Sequence, residues 1–241
     1  MKTFISLIFL SFMFFSFGQN NYESQYDYTN VGLGKTIPVK HIFNPNESIS
    51  IFNFQRENNL TQDESGELSF KISLNDSIGN HYYNRSDKLI FRDVVFNSGK
   101  EYVIVEDDLP DFKWQISKET KQIGPYQCLK ATGSFRGRTY EVWFTPEIIN
   151  PLGPWKFRGL EGMIVQANSV DGNIQFILKN IKKSKKTINV PIDGKKMSLD
   201  QYIELKKNTV NDITNKIKSK LPRGATVTVN TTNDYALETE F

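Results

Sequence analysis

Four carboxylates, Glu141, Glu147, Glu161 and Asp171, fall in one stretch of the chain. Paired carboxylates are what acid–base hydrolysis needs, one protonated to feed a leaving group and one ionised to take a proton from water. Glu161 stands between Gly159 and Gly162 in a loop bordered by apolar residues, where partial burial would raise its pKa. Pairing with Lys156 or Arg158 is the favoured outcome. Spacing along the chain does not set distance in space, so a hydrolase using carboxylates of the Pro146 to Asp171 region is one function these residues allow. Cys128, the only cysteine, has no intramolecular partner and lies in the strand-like Tyr126-Gln127-Cys128-Leu129, which reads as a buried thiol behaving as a small hydrophobe. His41 and His81 belong to no H-x-x-x-H or H-E-x-x-H pattern, and with one cysteine they do not make a four-ligand zinc site. Gly32-x-Gly34-Lys35 resembles part of a phosphate loop but lacks the preceding strand, the second glycine at the right spacing and the following helix. No metal or cofactor is implied.

The loop that would carry Glu161 runs from Pro146 to Gly162. Prolines 146, 151 and 154 with Gly153, Gly159 and Gly162 punctuate it so densely that neither strand nor helix is expected between Glu147 and Arg158. Trp155, Phe157 and Leu160 ride on this connector, and such large apolar groups either plug the core or face a partner. The plug is the favoured expectation, because aromatics dominate burial energetics.

Around the connector the sequence reads as β. Ser48 to Phe54, Leu68 to Leu74, His81 to Tyr83, Lys113 to Lys118, Ile123 to Phe135 (broken at Gly124-Pro125) and Arg138 to Thr145 show period-two alternation or β-branched and aromatic enrichment. Lys88 to Asn97 and Glu101 to Glu106 form the clearest hairpin, turning at Asn97-Ser98-Gly99-Lys100, and Leu160 to Asn168 pairs with Gly172 to Lys182. Arg136-Gly137-Arg138 and Lys182 to Lys186 read as solvated turns. Trp114, Cys128, Tyr140, Val142, Phe144 and Leu160 are the expected core of this region.

One long helix is expected over about 199–221. Ser198 and Gln201 make a capping box, Pro222 and Gly224 end the helix, and Ile203, Ile213 and Ile217 lie on its apolar stripe. The fold class is therefore mainly β: a curved antiparallel sheet, open or partly closed like a barrel, with one C-terminal helix packed on it.

At the start, Lys2 and the apolar run Phe4 to Phe17 precede small residues at Ser16 and Gly18. This is the pattern of an export signal (residues 1–18) cleaved between Gly18 and Gln19, leaving one domain over 19–241. At about 14 residues the run is shorter than the roughly 20 needed to cross a bilayer, so no transmembrane span is expected after cleavage, and the location is the periplasm or the cell envelope. A net charge of +3, from 30 basic and 27 acidic residues, is too small and too evenly spread for a surface that tracks nucleic-acid phosphates.

From Trp114 to Phe176 the order of motifs is Trp114 and Ile116, Tyr126-x-Cys128-x-Lys130-Ala131, Arg138-x-Tyr140-x-x-Trp143-Phe144-Thr145, Gly153-Pro154, and Gly159-Leu160-Glu161-Gly162-Met163-Ile164. This succession resembles the GLPGLI family of exported Bacteroidetes proteins, with Glu161 where that family has proline and Met163 where it has leucine. The resemblance implies a mostly β exported protein of no settled activity, with Gly153, Pro154, Trp155, Phe157, Gly159, Leu160, Glu161 and Gly162 as its motif loop. The leading expectation is a non-catalytic binding or structural protein, more a non-enzyme than an enzyme, its partner a hydrophobic ligand or an envelope protein. The alternatives are a carrier of a hydrophobic ligand such as lipid, and the carboxylate hydrolase described above.

Overall fold

A computed structural model describes residues 21–53, 60–62, 68–70, 79–96, 100–220 and 237–240. Its strands are β1 (Asn21–Asn30), β2 (Lys35–Phe43), β3 (Glu47–Phe52), β4 (Leu60–Gln62), β5 (Leu68–Phe70), β6 (Asn80–Arg85), β7 (Lys88–Phe96), β8 (Lys100–Asp107), β9 (Gln115–Ile123), β10 (Tyr126–Phe135), β11 (Arg138–Thr145), β12 (Met163–Ser169), β13 (Ile174–Ser184) and β14 (Lys195–Ser198), followed by helix α1 (Leu199–Lys220). Twelve of them form one sheet in the order β14-β8-β7-β6-β3-β2-β1-β13-β12-β11-β10-β9, and β4 and β5 form a separate pair. Every pairing in the large sheet is antiparallel except β14 with β8.

Chain length forces this sheet to curl. Strands β8 and β9 stand ten places apart, about 48 Å across a flat sheet at roughly 4.8 Å per strand. Only eight residue steps, Asp107 to Gln115, join them, and these reach about 28 Å at most. The sheet is therefore a bowl whose two rims approach each other without pairing. It is open, not closed into a barrel.

Alternation sorts the residues between the two faces. Val39, His41, Phe43, Ser50, Phe52, Phe91, Val105, Ala131, Val142, Phe144, Ala167 and Phe176 line the inside and are buried. The main core gathers inward residues from β1–β3 and β10–β13 around Trp155, Phe157 and Leu160 of the connector, while Phe91, Val95, Val103 and Val105 pack with Tyr202 of α1. The capping box forms as expected: Gln201 N donates to Ser198 Oγ at 3.2 Å and Ser198 N to Gln201 Oε1 at 3.0 Å. The buried side of the helix differs from expectation. Tyr202 and Thr209 are buried and Ile203 only half so, because the Tyr202 hydroxyl reaches Asp93 Oδ2 at 2.5 Å and its ring sits edge-on to Phe91 at 5.1 Å. The side chains of Ile213 and Ile217 lie outside the described residues, as do the export signal and the turn 97–99.

The β7–β8 hairpin has the expected partners, Phe96 opposite Lys100 and Leu89 opposite Asp107. Gly32 and Gly34 belong to the β1–β2 turn, with Gly34 at φ +59°, and no helix follows to present amides to a phosphate. The Lys182–Lys186 run is no hairpin turn. Lys182 is still in β13, and residues 185–194 continue as a strap to β14 at the far rim. That journey of seven strands, about 34 Å, takes eleven residue steps, so the strap is almost fully extended. It crosses the outside of the bowl, where Lys186 pairs with Glu23 at 2.5 Å.

Candidate functional site

The connector between β11 and β12 fills the bowl. An isolated bridge between Leu152 and Arg158, with Gly153 N bonded to Phe157 O at 2.8 Å and Gly159 N to Pro151 O at 3.1 Å, folds it on itself. Of the motif loop, Gly153, Pro154, Trp155, Phe157, Leu160 and Gly162 are buried, whereas Gly159 and Glu161 are exposed. Trp155 is 1% exposed and lies against Phe157, Tyr140, Phe112 and Phe135 at 5.1, 5.7, 6.3 and 6.3 Å between centroids. Its backbone is left-handed, φ +58°, a conformation that costs a residue with a Cβ about 1–2 kcal/mol. Gly162 is required for a different reason: a Cβ there would stand 2.4 Å from Thr145 O. Trp114 closes over the loop, its indole N–H donating to Arg158 O at 2.7 Å, and is only partly buried.

Beside Trp155 lies a cluster of four charges. Arg136 grips Asp107 through two bonds of 2.6 and 3.0 Å and donates to Glu238 at 2.8 Å, while Lys156 donates to Asp107 at 2.6 Å and pairs with Glu238. Both carboxylates and Lys156 are buried. Burial raises the Asp107 pKa, but the hydrogen bonds and charges of Arg136 and Lys156 outweigh it and hold the carboxyl below its usual range. Asp107 is thus an ionised anchor, the opposite of a general acid. Segment 237–240 seals the cluster, with Thr239 N and Glu240 N both donating to Arg136 O and Tyr140 Oη donating to Leu237 O at 2.8 Å.

The expected solvated turn at Arg136-Gly137-Arg138 is corrected by these contacts. Arg136 is drawn inward by two carboxylates, and Arg138 is buried against Asp171. Nor do the four carboxylates of the sequence reading converge. Glu141 pairs with Lys130 at 2.9 Å, and Glu147 accepts from Gln127 N at 3.0 Å. Asp171 accepts from Arg138 and Ser169 in the β12–β13 turn. Glu161 and Asp171 flank opposite ends of β12, and the two residues expected to pair with Glu161 go elsewhere: Lys156 to Asp107, and Arg158 to Asn84 Oδ1, Arg85 O and Ser86 O.

Distant residues do bring a serine against a histidine. Ser50 Oγ lies 3.0 Å from His41 Nδ1 and accepts from Trp155 N at 3.0 Å; Asn150 Nδ2 is 3.4 Å from Nε2. All three residues are sealed from solvent, and burial pushes the His41 pKa down to about 3. With no access for a substrate, this trio ties the connector to β2 and β3. Cys128 is buried as expected, its thiol pushed up by burial and by the Glu147 carboxylate. Outside the bowl, the strap roofs a half-open cavity of about 300 Å³ lined chiefly by Ile42, Ile49, Ile51, His81 and Arg92. Among the described residues no group of three His, Cys, Asp or Glu side chains is placed to hold a metal, and no helix is long and apolar enough to cross a membrane.

An open twelve-stranded bowl plugged by an aromatic connector defines the class of this protein, and the comparisons with known proteins give its family. Residues 37–207 match the family described as N-glycanase peptide, N-terminal domain, and the chain belongs to that family. Two solved structures, of PNGF-II in a P21 and in a C2 crystal form, share its fold with TM-scores of 0.52 and 0.53 at 17% and 18% identity, over 79% of this chain. The chain spans about a third of the length of those structures, 34% and 33%. No curated protein matches it.

The resemblance to the GLPGLI family is overturned by this match. Its motif residues do local work here, Gly162 admitting the Thr145 carbonyl and Leu160 filling the core. The same match corrects the expectations of a non-catalytic binding or structural protein and of a non-enzyme, since the family is described as an N-terminal domain of N-glycanase.

Proposed function

We propose that this protein takes part in N-glycan hydrolysis, as an exported hydrolase of the N-glycanase type. The family match over residues 37–207 carries the reading, and the shared bowl supports it. In an N-glycan the sugar hangs from an asparagine side-chain amide, so hydrolysis adds water at the amide carbon and expels the glycosylamine, leaving aspartate. Such a reaction needs a rigid site that excludes stray water. In this chain the ion cluster and the His41-Ser50-Asn150 tie supply that rigidity, locking connector and sheet into one body. The signal-like start, Lys2 to Gly18, supports export to the compartment where glycoproteins from outside the cell are met.

The test is direct. The purified protein is incubated with an N-glycosylated peptide, and mass spectrometry follows conversion of asparagine to aspartate together with released glycan. Conversion supports the reading; a glycopeptide that stays intact through prolonged incubation sinks it. Sequencing the amino terminus of protein recovered from the envelope should begin at Gln19.

A further inference from the structure

The outer face of β9–β13 has no task in the fold described so far. On it Trp143 stands at the centre of β11, flanked across the strands by Lys130 and Gln166, with Glu141 and Asn168 in the next row and Gln175 and Ile177 beyond. All seven are half-exposed, while the residues between them, Val142, Phe144, Ala167 and Phe176, are buried in the bowl. The face is consequently as rigid as the core behind it. Among the described residues no element packs on it, α1 lying against β7, β8 and β14.

We infer that this face is a carbohydrate-binding platform, separate from the connector and from any reacting amide, that takes a neutral oligosaccharide. Three features carry the inference. A pyranose offers a face of C–H bonds, apolar and slightly positive, which matches the negative π face of an indole. Lys121 and Lys130 hold their ammonium groups 5.4 and 5.9 Å from the Trp143 centroid. Both lie within the roughly 6 Å of a cation–π contact, so the ring already attracts positive charge to its face, and a sugar's C–H face would take the place of the exposed Lys121 head group there. The second feature is the row of amides. Gln166, Asn168 and Gln175 present donors and acceptors together, as sugar hydroxyls need, and Gln175 Nε2 donates to Asn168 Oδ1 at 3.0 Å, which fixes both amides before a ligand arrives.

Charge is the third feature. Lys130 is matched by Glu141 at 2.9 Å and Glu119 at 3.4 Å, and at the far side Lys179 by Asp27 at 3.4 Å. Lys121 and Lys130 against Glu119 and Glu141 leave the platform neutral, which suits an uncharged glycan and disfavours nucleic acid, anionic lipid or a charged peptide. The inference rests on the proposed function for its choice of sugar, an N-glycan arm held while its amide is presented elsewhere.

The experiment titrates chitotriose and mannotriose into the full chain and into Trp143→Ala, Trp143→Tyr and Gln175→Ala, reading tryptophan fluorescence and calorimetric heat, with a thermal melt of each variant. Saturable binding of either sugar that weakens tenfold or more in Trp143→Ala, is largely kept in Trp143→Tyr, and leaves the melt unchanged is the expected result. Should Trp143→Ala fail to fold, Gln175→Ala takes its place, and a several-fold loss is expected there. No binding by the wild type, or equal binding by the folded variants, overturns the platform. Tighter binding of an unglycosylated peptide than of either sugar overturns it too. The glycopeptide assay above is scored separately: sugar binding without amide cleavage removes the proposed function and leaves the platform, whereas cleavage by a protein that binds neither sugar does the reverse.

Discussion

Replacing Trp155 by alanine tests whether the connector is a plug. The indole is 1% exposed and meets four aromatic rings within 6.3 Å. Truncating a buried tryptophan costs about 3–5 kcal/mol, and here the rigid rings and the sheet behind them leave little room for collapse, so the upper half of that range is expected. For a chain of this size a loss of about 4–5 kcal/mol lowers Tm by about 8–20 °C. The backbone adds a second, sharper expectation. At φ +58° alanine keeps the left-handed penalty of about 1–2 kcal/mol, which glycine escapes. Glycine's extra unfolded-state entropy, about 0.5–1 kcal/mol, is smaller. Trp155→Gly should therefore be as stable as Trp155→Ala or more so, against the usual order. Urea denaturation of the three proteins decides both points. A Trp155→Ala variant within about 0.5 kcal/mol of wild type would refute the plug, and a glycine variant clearly weaker than the alanine one would refute the strained backbone.

Stability should depend on His41. The folded protein keeps this imidazole neutral down to about pH 3, whereas the unfolded chain takes up a proton below about pH 6.5, so its contribution is complete above 6.5 and is lost as pH falls toward 3. The slope approaches about 1.4 kcal/mol per pH unit, and denaturation curves from pH 7 to 4 should flatten in His41→Gln; an unchanged slope in that variant would remove His41 as the cause. Gly162→Ala should cost about 1–3 kcal/mol, because its methyl meets the Thr145 backbone and not a movable side chain. A melt equal to wild type would show that β11 and β12 can part there.

Features set by neighbouring residues were legible in the sequence, and those set by distant ones were not. The capping box at Ser198 and Gln201, the β7–β8 hairpin and the absence of regular structure between Glu147 and Arg158 each depend on a few adjacent positions. Strands β1 and β2 escaped notice because their inward sets, Ser24-Tyr26-Tyr28-Asn30 and Ile37-Val39-His41-Phe43, include polar residues that look solvated until their partners are known. Ser24 bonds to His41 O, and Asn30 to Tyr28 Oη. Likewise the ion cluster joins β8, the β10–β11 turn, the connector and the tail, so Arg136 read as a surface charge. The family match extends over 171 residues, whereas the motifs that resembled another family occupy only Trp114 to Phe176 within it.

The place of β1 at the middle of the sheet bears on how the chain acquires its structure. One edge of β1 pairs with β2 close by, but the other pairs with β13, Gln25 opposite Asn180, 155 residues later. At a synthesis rate of about 5–20 residues per second, the first strand of the fold waits roughly 8–30 s for the partner that joins the two halves of the bowl. During that interval the edge of β1 is an open template for mispairing. Its Glu23, Gln25 and Asp27, set between the tyrosines, put charge and polarity on the strand while it waits. Folding should consequently be slow for the chain's length and dominated by late long-range closure, and shortening the chain before β13 should yield aggregation in place of a smaller folded bowl.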